Sequence, residues 1–176
     1  MSLTRRRLLS LLASTLASAT SLAAEPSAEG DLELTALHSG ETVRFRVRGV
    51  SAQEPDTLKR IEHVLRDRRS GDTHAMDPAL FVQLVRLAAA AGVTAHYDII
   101  SAYRSPETNA KLHERSNGVS SKSLHMEGRA MDVRLRGVET LRLATLAREM
   151  AAGGVGCYLG ERFVHIDTGR IRTWDG

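Results

Sequence analysis

Val43, Phe45 and Val47 alternate with Arg44, Arg46 and Arg48, the period-two pattern of a strand with one buried face. Ser39-Gly40 supplies the turn that brings this strand back against Leu32 through Leu37, so a hairpin is predicted, its arginines forming a solvated face. The period then lengthens. Leu58, Ile61 and Leu65 recur at helical spacing, and so do Leu80, Leu84, Leu87 and Ala91, which follow an Asp77-Pro78 start and precede a Gly92 stop. Tyr97 to Ala102 reads as a short strand, and Ser105-Pro106 opens a helix that runs to about Arg115. Residues 116 to 123 form a Ser-, Asn- and Gly-rich loop, and Ala130 to Leu135 alternates again. Leu143, Leu146, Ala147 and Met150 stripe a last helix that ends at Gly153-Gly154, and Val155 to Tyr158 with Phe163 to Asp167 closes the chain as a hairpin over Leu159-Gly160. Helices gather between short strands with no regular β-α-β alternation. The pattern predicts an α+β fold with a small antiparallel sheet and flanking helices.

The first residues are of another kind. Thr4-Arg5-Arg6-Arg7 is a positive segment, Leu8 to Ala19 is apolar with small residues, and Leu22-Ala23-Ala24 offers a small-residue cleavage site. Residues 1–24 therefore read as an export signal, 25–30 as a polar linker and 31–176 as one domain. The order Thr-Arg-Arg-x-Leu-Leu resembles a twin-arginine signal, with Ser10 where a basic residue usually stands and Sec export as the alternative. The segment is short and rich in Ser and Thr, which argues against stable membrane insertion. It places the mature chain in the periplasm or cell envelope.

Composition narrows the classes further. A length of 176 residues with 42% hydrophobic and 26% charged positions suits one domain with a real core. A single Cys excludes an internal disulfide framework and a multi-cysteine zinc cluster. The net charge of +3 vanishes once the signal is removed, because residues 1–24 hold three of the 24 basic residues and none of the 21 acidic ones. A mature chain with 21 of each offers no electrostatic case for nucleic acid as a partner.

The densest chemistry lies in Ser123-Leu124-His125-Met126-Glu127-Gly128-Arg129-Ala130-Met131-Asp132 and in the later Phe163-Val164-His165-Ile166-Asp167. A His on a loop, a Gly permitting a tight turn and an Asp in the next strand can bring a nitrogen and an oxygen ligand together. His165 on a neighbouring strand would be a third ligand. Two imidazoles and one carboxylate leave the fourth tetrahedral position of a Zn2+ ion open, the hallmark of catalytic rather than structural sites.

Ser123-x-His125-x-x-Gly128-x-Ala130-x-Asp132, joined to Val164-His165-Ile166-Asp167, resembles the zinc D-Ala-D-Ala carboxypeptidase group and, within it, the MepK-like murein endopeptidases. Ile100 to Pro106, carrying Arg104, and Gly153-Gly154-Val155-Gly156 strengthen the likeness. The resemblance implies a Hedgehog/D-Ala-D-Ala peptidase-like fold and a zinc metallopeptidase acting on peptidoglycan peptides, with endopeptidase favoured over carboxypeptidase. It implies one zinc held by His125, Asp132 and His165, Arg104 beside the developing oxyanion and Ser123 near the substrate.

One departure stands out. Relatives in the wider group carry a Glu general base three residues before the last His, and that position is Arg162 here. Because i and i+2 share a strand face, Asp167 is a candidate base or a partner orienting His165, with Glu161 behind it. The missing Glu keeps open a binding domain that holds zinc or murein peptide without turnover. Cys157 with His165 would make a cysteine hydrolase, although its alternating neighbours read as a buried strand. His38, His63, His74, His96 and His113 lack the spacing of a site, and Trp174 reads as a packing anchor.

Overall fold

Strand alternation and helix caps act where the sequence places them. In the computed structural model, which describes residues 29–49, 54–115 and 120–176, strands β1 (Glu29–Ala36) and β2 (Thr42–Arg48) pair antiparallel. Gly40 takes the left-handed conformation that their turn requires (φ 74°). Helix α1 (Pro55–Val64) is followed by α2 (Pro78–Ala91), whose N-terminus is capped by the Asp77 side chain on Ala79 N (2.9 Å) and whose end is turned by Gly92 at φ 74°. Then come β3 (Ala95–Ser101), α3 (Pro106–Arg115), a single 3-10 turn (Leu124–Glu127), β4 (Ala130–Leu135), α4 (Thr140–Met150), β5 (Gly154–Tyr158), β6 (Phe163–Asp167) and β7 (Arg172–Asp175).

The α+β class holds, but the expected small antiparallel sheet is larger and mixed. Seven strands lie in the order β2-β1-β3-β4-β6-β5-β7, and β1 with β3 and β5 with β7 run parallel. A parallel pair needs a crossover rather than a turn, so no hairpin signal announces it. β7 escapes the pattern because Arg172-Thr173-Trp174-Asp175 is short and has no apolar face. The predicted signal and linker lie outside the described residues, apart from Glu29 and Gly30, which already belong to β1. Among the described residues no helix is long and apolar enough to cross a membrane.

The two faces of the sheet differ sharply. On one, Leu32, Leu34, Phe45, Tyr97, Val133, Val164 and Ile166 are buried together with Leu80, Leu84, Leu143 and Ala147 of α2 and α4. Fully burying side chains of this size contributes about 1.5–3 kcal/mol each. Tyr97 spans this layer and donates its hydroxyl to Leu84 O (2.7 Å), which satisfies the one polar atom it carries inside. The other face is polar. Toward the β2 edge it bears cross-strand ion pairs, Arg46 with Asp31, Arg44 with Glu33 and Arg136 with Asp98. Across β4 and β6 it bears Asp132 and His165, directly opposite each other.

Candidate metal centre

The sheet register brings the first two donors together. Asp132 and His165 are direct partners across the antiparallel β4–β6 pair, so both side chains rise from the polar face. His125 reaches them from the 3-10 turn. Ser123 caps that turn by accepting from His125 N (3.4 Å), and Gly128 ends it at φ 65°, where an added Cβ would collide with the carbonyl of Ala75. The Gly of the motif is thus fixed by both backbone sign and space.

The donor atoms close into a triangle. His125 Nε2 lies 3.2 Å from His165 Nδ1 and 3.3 Å from Asp132 Oδ1, and His165 Nδ1 lies 2.9 Å from Asp132 Oδ1. Ligands about 2.0–2.1 Å from a tetrahedral zinc sit roughly 3.3 Å apart, so the triangle has the size of one face of such a site. Protonation agrees. His125 Nδ1 meets Ala102 O (2.6 Å), which can only accept, and His165 Nε2 meets the Asp167 carboxylate (3.1 Å). With each imidazole's N–H spent outward, two nitrogen lone pairs and a carboxylate oxygen can converge on one cation. Such a cluster calls for a cation at its centre, and the residues fit zinc.

Electrostatics follow from burial and contacts. Burial holds the His125 imidazole below its usual pKa, the attraction of Asp132 opposing it. Burial would raise the Asp132 carboxyl, but His125 and His165 hold it well below the ordinary carboxylate range. Arg104, 14% exposed, donates Nη2 to Asp132 Oδ2 and Nε to Ser101 Oγ (2.8 Å). A register shift at the end of β3 sets Ser101 opposite Asp132 for that purpose. Nη1 of Arg104 has no partner among the described residues.

Asp67, which no motif signals, anchors the Arg104 loop. Its buried carboxylate accepts from Ser105 N, Ser105 Oγ and Arg69 N, each at 2.8 Å. Burial would raise this carboxyl, but those hydrogen bonds and one from Thr108 bring it down to about 2, from 3.8. A lowered folded value stabilises above the unfolded pKa and is lost as pH falls through the folded one. Asp67→Asn should therefore cost about 2 kcal/mol at neutral pH. Urea titrations from pH 6 down to 2 should show the gap to the parent closing below about pH 4; a gap constant across that range would contradict the assignment.

Asp167 does not have the environment of a proton acceptor. It is fully buried, and its oxygens take Gly154 N (3.0 Å), Gly169 N (2.8 Å), Arg172 Nη1 (3.1 Å), Arg172 Nη2 (2.6 Å) and His165 Nε2 (3.1 Å). Burial would raise its carboxyl, but those donors hold it far below the usual range. The geometry fits the other expectation, a carboxylate orienting His165. Glu161 is exposed on the β5–β6 turn and does not line the cleft. The next residue, Arg162, has a left-handed backbone (φ 58°), and Arg134 donates to the carbonyls of both (2.8 and 2.6 Å). Cys157 is buried in the apolar layer beside Val164 on the face opposite His165, so the cysteine-hydrolase reading falls. Of the five histidines set aside, His74 stacks on Tyr103 and His63 pairs with Glu41, away from the donor cluster.

Above the donors opens a cleft of about 740 Å3. Arg104, Ser123, His125, Asp132 and His165 line it, so the expected substrate residue Ser123 faces the same space as the three donors. Several of its wall residues carry no motif. Trp174 packs its indole against the His165 ring (centroids 5.2 Å apart) and donates Nε1–H to Tyr158 (3.0 Å), which stacks on Phe163 (4.5 Å). Gly156 leaves the room that this indole occupies. Trp174 is thus a wall of the site as well as an anchor, and only the spacing Arg172-x-Trp174 could have hinted that both side chains share a strand face.

Comparison with known proteins agrees with this architecture. The family profile described as Peptidoglycan L,D-endopeptidase MepK matches residues 24–174. The proteins of that name from Escherichia coli K12 and from Shigella flexneri are each 42% identical over 146 residues, covering 81% of this chain and 79% of theirs. The "Probable peptidoglycan L,D-endopeptidase MepK" of Haemophilus influenzae is 35% identical over 141 residues, 80% of this chain and 76% of its own. No solved structure matches significantly. With nearly the whole domain covered by the profile and by these relatives, the chain belongs to the MepK family of M15 peptidases.

Proposed function

We propose that the protein is an exported, zinc-dependent endopeptidase that hydrolyses peptide bonds in peptidoglycan stem peptides or cross-links. The observation that carries this reading is the convergence of His125 Nε2, His165 Nδ1 and Asp132 Oδ1 at one point beneath an open cleft, in a member of a family named for that activity. A bound zinc supplies Lewis acidity toward the scissile carbonyl and lowers the pKa of water. His125, Asp132 and His165 would hold it. Arg104, already braced by Ser101 and Asp132, keeps Nη1 for the oxygen that gains charge as the carbonyl is attacked; one such fixed donor is typically worth about 10²–10³ in rate. Asp167 orients His165 by accepting its Nε2–H, and Ser123 stands where the peptide enters. The Hedgehog/D-Ala-D-Ala peptidase-like fold and export through residues 1–24 complete the proposal, since murein lies outside the cytoplasmic membrane. A family match that begins at residue 24 supports that division of the chain.

A second reading, binding without turnover, draws on one observation: Asp132 is the only carboxylate lining the cleft among the described residues. Digestion of defined cross-linked muropeptides, followed by mass spectrometry, separates the two. Release of monomeric peptides identifies the bond cut. Retention of intact dimer by a protein that still sediments with murein would establish the binding domain instead.

A further inference from the structure

The cleft is lopsided in charge. Arg104, Lys122, Arg129, Arg170 and Arg172 line it, against Asp132 alone. Three of these cations are matched: Arg104 by Asp132, Arg172 by Asp167, and Arg129 by Glu127 (3.1 Å). Lys122 and Arg170 are exposed and make no ion pair among the described residues. The two come from different segments that meet. Lys122 precedes the 3-10 turn, Arg170 lies in the turn after β6, and the segments touch where Leu124 packs on Gly169, an added Cβ there lying 2.7 Å from Leu124 Cδ1. Lys122 is three residues from the donor His125, and Arg170 is two from Arg172, which clamps Asp167. Lys122 is thus three residues from the nearest donor and Arg170 five, and both line the cleft above it.

Two cations without ion partners on the wall of one cleft raise its positive potential and favour an anion there. We infer that Lys122 and Arg170 form a carboxylate-binding rim, so that the site selects peptides carrying a free carboxylate close to the bond to be cut. This rests on the peptidase reading and specifies its substrate class. Lysine and arginine are suited to it differently: the guanidinium offers a planar fork to a carboxylate, and the ammonium a mobile point charge. Their distance from the donor triangle assigns them to substrate capture, so KM should respond more than kcat.

The test uses one cross-linked muropeptide in two forms, with the carboxylate beside the scissile bond free or converted to its amide. For the parent protein the free acid should show a KM about tenfold lower than the amide, with kcat within about twofold. The Lys122→Ala/Arg170→Ala double variant should lose that preference, and raising the salt from 50 to 500 mM should erode it in the parent. Calorimetric binding of both forms is measured in parallel. A parent that treats acid and amide alike, or a double variant that keeps the preference, overturns the inference. Preferential binding of the acid without cleavage of either form would leave the rim standing and sink the endopeptidase reading.

Discussion

Stripping the metal from the purified domain with a chelator should abolish muropeptide hydrolysis, and zinc should restore it. The reason lies in the donor triangle. Without a cation, two imidazoles and a carboxylate crowd one another at 2.9–3.3 Å in a buried site, and only shared protons hold them together. Zinc shared by all three donors is therefore also a stabiliser of the folded state. At a thousandfold excess over its dissociation constant a ligand specific to the folded state contributes about 4 kcal/mol. In a domain of this size that raises Tm by roughly 10 °C. His125→Ala and Asp132→Ala should each remove both the activity and the zinc-dependent shift. Asp132→Ala should also lower the metal-free Tm, because it leaves the half-buried Arg104 without its carboxylate partner. Full hydrolysis after the metal is removed, or a Tm indifferent to zinc, would refute the site.

The second large effect concerns groups that never touch the metal. Asp167→Asn should weaken zinc binding about 10–100-fold, the usual cost of losing a carboxylate that orients a ligand histidine. Arg172→Ala should act in the same direction through Asp167, which it grips with both Nη atoms. Saturating zinc decides the role. If Asp167 only orients His165, excess zinc returns kcat of Asp167→Asn close to the parent. If it accepts a proton in the reaction, kcat stays depressed with the metal site full. Competition titration against a chromophoric chelator gives the affinity, and single-turnover rates at saturation give the rest.

The sequence disclosed what side-chain periodicity controls. Val43, Phe45 and Val47 and the stripe of α2 could be placed because burial repeats at the period of the element. His125, Asp132 and His165 could be grouped because a turn and two strand faces fix their directions. What stayed hidden was carried by the backbone or by distant partners. The true setting of Asp167 depends on the N–H groups of Gly154 and Gly169, which no residue letter reveals, and on Arg172 from a strand without an apolar face. Asp67 looks like any surface aspartate until Ser105 is folded onto it. The two parallel pairings were invisible because sequence signals report turns, and parallel neighbours are joined by none.

The direct opposition of Asp132 and His165 bears on how such a chain can change length. Between them runs a long excursion through α4, and Gly137 on that excursion has open surroundings. Residues inserted there leave the two strands, and hence the pair, untouched. One residue added inside β4 or β6 does the reverse, turning one of the pair toward the oily layer and an aliphatic side chain toward the cleft. Lineages are therefore free to lengthen or shorten the far-side connection, while the two short strands that carry the pair cannot gain or lose a single position.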